Sequence, residues 1–277
     1  MKFGLSLFIK EAILFGSTMA LGLYAAFYYY SFNIAGAVPD NAIKFTFADT
    51  IVLIIFIGAV FWLSRYKRAA HFSFKIFLVL VVFSGTQVVL GTIISSPWNL
   101  AAALIFALVF SKGWNVLIHN LGLVLGVGGI AAIFGLSISA EFGLILLAAL
   151  SVYDIIAVYL TKHMVALARS MIEGGAVFGF LVPFEFKGFL YGKERAKTGI
   201  GENFLILGSG DIGLPLVFVA SLAKVSLASA IITAAFSILG LFLTHLLFFN
   251  QIKRRAMAAL PPIATVTIIG YLISQLW

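Results

Sequence analysis

What most constrains this chain is a succession of apolar runs, each near 20 residues and separated by short polar punctuation. A bilayer core is about 30 Å thick, and a helix rising 1.5 Å per residue needs about 20 residues to cross it. Runs suited to that task occur at 7–30, 47–64, 74–95, 98–111, 116–135, 140–164, 203–224, 226–249 and 258–276, giving about nine spans. They are too many to share one soluble core. Of the 277 residues 62% are hydrophobic and only 10% charged, against about a quarter charged in an ordinary soluble domain. The expectation is an all-α, polytopic, multi-pass protein of the cell membrane, in contact with the lipid bilayer. The first run, MKFGLSLFIKEAILFGSTMALG, has the cast of a signal peptide. More spans follow and no good small-residue cleavage site stands out, so it reads as a retained first helix.

Charge placement orients these spans. With the N-terminus cytoplasmic, 16 of the 18 Lys and Arg fall in cytoplasmic segments, and only Lys44 and Lys224 fall opposite. That asymmetry is what the positive-inside rule expects, and it sets the C-terminus outside. It also accounts for the net charge of +8; no basic stripe argues for nucleic acid as a partner. The absence of cysteine excludes disulfides, thiol nucleophiles and Cys-ligated metals. The four histidines include no His-Glu-x-x-His pair, so neither a metal nor a cofactor is expected. Ser209 and His245 could be imagined as a serine protease pair, but no Gly-x-Ser-Gly sequence surrounds a serine.

The organisation expected is a single membrane domain over 1–277. Spans one to five occupy 1–135, spans six and seven occupy 136–164 and 203–224, and the last two occupy 226–277. The stretch 165–202 reads as a cytoplasmic loop, either a linker or a gating element, mixing charges with an apolar segment at 174–184. No internal repeat suggests a transporter built from related halves.

Ionisable groups within spans are rare because burying a charge costs several kcal/mol. Glu11, Asp40, Asp49, Glu141, Glu173, Glu185, Glu194 and Glu202 lie at span ends or in loops, but Asp154 and Asp211 lie within apolar runs. Counted as helix, Asp154 stands roughly 15 Å and Asp211 roughly 12 Å from the cytoplasmic side. Two consecutive antiparallel spans thus put one carboxylate each at nearly one level. Two close carboxylates cannot both ionise cheaply, so such a pair shares one proton. The ionised member can take a proton from water attacking a peptide carbonyl while the protonated member polarises that carbonyl. This is aspartic protease chemistry.

Around Asp211 the sequence is Gly208-Ser209-Gly210-Asp211-Ile212-Gly213-Leu214-Pro215. Glycines allow close backbone approach, and a proline frees a carbonyl one turn back. Irregular backbone at membrane depth needs protein or a water-filled cavity to satisfy it. Tyr153 precedes Asp154, near enough to contribute a hydrogen bond. Together, Tyr153-Asp154 and Gly208-Ser209-Gly210-Asp211 resemble the paired YD and GxGD motifs of the presenilin and signal peptide peptidase family. The resemblance extends over the whole topology and is most specific between about 150 and 263; the chain resembles an archaeal presenilin homologue. It implies nine spans, with Asp154 and Asp211 as the catalytic pair. It also implies a Pro-Ala-Leu motif before the last span. Here Ala258-Ala259-Leu260 stands in that place, followed by Pro261 and Pro262, which hold the segment away from helix.

The function expected is that of an intramembrane aspartyl endopeptidase acting on transmembrane-helix protein substrates, with a homo-oligomer compatible with the sequence. The alternative is a cation channel or proton-coupled transporter using the same two acids. A third reading is an inactive scaffold.

Overall fold

A computed structural model describes residues 4–32, 67–113, 115–192, 195, 203–251 and 257–276. In chain order these form α1 (Leu5–Ser31), α2 (Lys67–Gly91), α3 (Trp98–Ser111), α4 (Val116–Ser137) and α5 (Ala140–Ile155). A π-helical turn (Ile156–Leu160) and α6 (His163–Glu173) follow, then β1 (Gly179–Pro183) and a 3-10 turn (Phe186–Leu190). The chain continues through β2 (Phe204–Gly208), α7 (Ser209–Leu222), α8 (Leu227–Phe249) and α9 (Leu260–Ser274). The expected second span, 47–64, lies outside the described residues. The other eight expected spans each meet a helix. Leu5–Ser31, His71–Gly91, Val116–Ser137, Ala140–Leu160 and Leu227–Phe249 are long and apolar enough to cross a membrane; α3, α7 and α9 are shorter apolar helices.

The bundle is organised around α4, which packs on α1, α2 and α7. Its most apolar stretch is 67% buried, against 17% for the α5 region. Small residues make that position possible. A Cβ at Gly85 on α2 would run into the Gly126 backbone, and one at Gly129 into the Gly85 backbone, so α2 and α4 touch main chain to main chain. The side chain of Asn115 caps α4 by accepting the Ile118 N–H at 2.9 Å. Polar contacts fasten the later helices. Ser237 and Thr267 join α8 to α9 at 2.9 Å, and the His245 Nδ1 and Glu11 Oε2 join α8 to α1 at 2.8 Å.

Two expectations need correction. The stretch 165–202 is more than a connecting loop, because its described part contains α6 and the fully buried strand β1. The seventh span is not helical from 203. Its first residues are β2, and the helix begins only at Ser209. A short apolar run such as Phe204-Leu-Ile-Leu has no periodicity that separates buried strand from buried helix. The strands pair antiparallel in the register Gly179↔Gly208, Phe180↔Leu207, Leu181↔Ile206, Val182↔Leu205 and Pro183↔Phe204. Bonds from Phe184 N–H to Asn203 O (3.0 Å) and Ser209 N–H to Phe178 O (3.3 Å) extend the ladder at both ends.

Candidate active site

Asp154 lies next to the end of α5, and Asp211 in the first turn of α7. Beyond Asp154 the helix loosens into the π turn, closed by a Thr161 N–H to Ile156 O bond of 2.9 Å, and stops at Lys162 with φ 56°. A π turn inside a helix changes which way the following side chains face, and such turns frequent functional sites. Asp211 owes its place to β2: five extended residues carry the chain about 17 Å, where helix would carry it about 8 Å. The equal-depth arithmetic for the two aspartates therefore assumed the wrong geometry for one of them. Helices α5 and α7 nevertheless pack together, and the two carboxyl groups lie near enough for the charge on one to act on the other.

Each aspartate is half-buried. The Leu260 backbone N–H lies beside Asp154, and the Gly208 backbone N–H beside Asp211. The first of these follows from the sequence of α9. Pro261 and Pro262 lie inside the first turn of α9 and do not hold the segment away from helix as expected, because the fixed φ of proline suits a helix start. Helix starts leave amides without partners, and the prolines have none to offer, so the Leu260 N–H is the donor that needs an acceptor. Asp154 stands beside it. Its second oxygen, Oδ2, is buried without a hydrogen-bond partner among the described residues.

The segment before α9 is docked at two further points. The Ala258 N–H donates to Tyr159 Oη at 3.4 Å, and Ala259 O accepts from Thr244 Oγ1 at 3.5 Å. Ala258 and Leu260 are buried, while Ala259 and Pro261 are partly so. A proline at 258 would have no N–H to give Tyr159, so the departure from Pro-Ala-Leu comes with a contact of its own. Sequence reasoning missed Tyr159, which stands in no motif, and the Leu260 amide, a backbone group with no residue signature.

The other singled-out residues divide. The Gly208 backbone lies against Asp211, and a Cβ there would come within 2.6 Å of Asp211 Oδ2. A Cβ at Gly210 would meet nothing within 4 Å, leaving open space beside the aspartate. Ser209 Oγ donates to Phe178 O at 3.1 Å and ties the start of α7 to the residue before β1. Tyr153 is exposed, at 47%. Ser209 and His245 do not meet as a catalytic pair, since His245 faces Glu11 between α1 and α8.

A model of the family described as "Signal-peptide peptidase, presenilin aspartyl protease" matches residues 11–277. Two solved structures of a presenilin family intramembrane aspartate protease share the fold. One, in space group C222, superposes with a TM-score of 0.63 at 21% identity, covering 98% of this chain and 99% of that one. The other, in space group P2, gives 0.61 at 22% identity, covering 96% of each. No relative is found among curated proteins. The chain belongs to the signal-peptide peptidase and presenilin family, and is a multi-pass intramembrane aspartyl protease whose substrates are transmembrane helices in a lipid bilayer.

Proposed function

We propose that Asp154 and Asp211 are the catalytic pair, and that Gly208, Gly210 and the 258–261 segment shape the ground on which substrate is held. What supports this is the packing of α5 against α7, which puts the two carboxyl groups close enough for the charge on one to act on the other, each with a backbone N–H beside it. Structural ion pairing does not explain two neighbouring acids. A shared proton does. The ionised carboxylate removes a proton from water as the water oxygen bonds to the scissile carbonyl carbon. The protonated partner hydrogen-bonds the carbonyl oxygen and stabilises the charge that grows there. Collapse of the tetrahedral species passes a proton to the departing amide nitrogen and frees an acid and an amine. One chain carries both acids, so a homo-oligomer is not required for the chemistry.

A helical substrate shields its peptide bonds and must unwind before attack. Strand β2 offers such a segment a place. Leu205 and Leu207 bond to β1, so the main-chain groups of Phe204, Ile206 and Gly208 face the other way, and this edge runs straight into Asp211. An extended stretch added along it brings its backbone to the carboxylates. The open space at Gly210 accommodates it. No specific observation favours the channel or transporter reading.

A peptide isostere with a hydroxyl in place of the scissile carbonyl tests the assignment. Its binding weakens at least about 100-fold in Asp154→Asn and in Asp211→Asn if both acids grip the tetrahedral centre. Equal affinity for wild type and both variants, all folded, overturns the pairing.

A further inference from the structure

The other edge of the ribbon is occupied. In the register observed, Gly179, Leu181 and Pro183 turn their main-chain groups away from β2, and each finds a buried side chain there. The Nε2 of His119 meets Gly179 O at 3.0 Å; a carbonyl only accepts, so that nitrogen carries the proton. Asn120 is bidentate on Leu181, its Nδ2 donating to Leu181 O and its Oδ1 accepting the Leu181 N–H, both at 2.8 Å. Lys10 Nζ donates to Pro183 O at 2.9 Å and to Phe184 O at 2.7 Å, with the Phe186 ring centroid 4.5 Å away. Pro183 has no N–H, so an acceptor's partner is all it needs. Asn120 is 1% exposed, and His119 and Lys10 are each 2% exposed.

Two helices thus supply a side-chain replacement for a third strand. Asn120 copies the donor and acceptor of a neighbouring residue, while His119 and Lys10 satisfy the carbonyls on either side at the two-residue spacing of a strand. Burying a lysine and an amide in a membrane bundle is expensive. Packing α1 and α4 against β1 does not require it, since apolar side chains would pack there as well. An exposed strand edge, by contrast, pairs with any extended segment.

We propose that Asn120, with Lys10 and His119, are positioning residues for proteolysis: they close the outer edge of β1, so that an unwound substrate pairs only along β2 and in one register. This rests on the proteolytic reading above. Side chains alternate along a strand, so a slipped substrate moves by two residues to keep its faces. Loosening the cap therefore has a readable consequence: cleavage at bonds two residues from the original site.

The full chain is reconstituted in liposomes with a single-span substrate, and products are mapped by mass spectrometry for wild type, Asn120→Leu, Lys10→Met and Lys10→Arg. Amide exchange is followed over 178–184. The expected results are about tenfold faster exchange at Leu181 in Asn120→Leu, with new products displaced by two residues and KM raised more than kcat is lowered. Lys10→Met shows the same product shift, and Lys10→Arg, which keeps a donor, retains the wild-type pattern. Should Asn120→Leu not fold, the two Lys10 variants carry the test alone. Wild-type products and KM in folded variants overturn the proposal, as does a product shift in Lys10→Arg equal to that in Lys10→Met. A wild-type chain that cleaves nothing removes the proteolytic reading and this proposal with it, an outcome distinct from wild-type products in the variants.

Discussion

A Cβ added at residue 208 would meet the Asp211 carboxylate, whereas one added at residue 210 would meet nothing within 4 Å. The two glycines of one motif therefore serve different ends. Gly208→Ala pushes Asp211 from its place; since a misplacement of about 1 Å can cost about 100-fold, cleavage falls by about that factor while the unfolding midpoint barely moves. Gly210→Ala leaves Asp211 in place and crowds the space beside it, so KM rises with kcat nearly kept. Steady-state kinetics on one single-span substrate separates these outcomes. A second pair of residues invites a cycle. Tyr159→Phe removes the acceptor of the Ala258 N–H, and Ala258→Pro removes the donor. Each single change lowers cleavage a few-fold, and the double variant costs no more than the worse single one; fully additive losses would show that the contact does not matter. At this scale the sequence exposes what is costly. Two acids in apolar runs stand out because burial penalises charge, whereas the Leu260 amide beside Asp154 is invisible because every residue has one.

Among the elements, helices were the legible part. Membrane spans announce themselves by length and apolarity, and α3 was expected over the same 98–111 that it occupies. The strands were not legible. Phe204-Leu-Ile-Leu continues without a break into α7, so hydropathy merges the two into one span. What separates them is pairing with β1, about 25 positions earlier in the chain, which a window along the sequence cannot see. The segment 174–184 looked like an apolar patch in a loop for the same reason. Glycines, read as a general sign of close helix packing, find a specific meaning at the α2–α4 contact. Gly129→Val forces these backbones apart and lowers stability by about 1–3 kcal/mol, measured as a drop in the unfolding midpoint in detergent. An unchanged midpoint would mean that α2 and α4 do not depend on main-chain contact at this level.

For the whole molecule, the arrangement sets a rigid centre beside a more open site. Helix α4 is gripped on several sides and also supplies Asn120 and His119 to β1, so it anchors the ribbon that leads to Asp211. Among the described residues the α5 region, which carries Asp154, is the least covered of the long apolar helices. The proposed pair thus draws one acid from the fixed frame and the other from the least covered of these helices. The charge asymmetry predicts an orientation for the spans and the hydropathy about nine of them, but neither says how the helices are arranged about α4. The most direct test of the account is cleavage of a reconstituted single-span substrate by Asp154→Asn and Asp211→Asn. Acid–base groups of this kind contribute about 10²–10⁴-fold each, and the pair acts as one unit. Either substitution alone therefore abolishes detectable cleavage while the unfolding midpoint stays within a few degrees of wild type. Cleavage persisting in either folded variant contradicts the account.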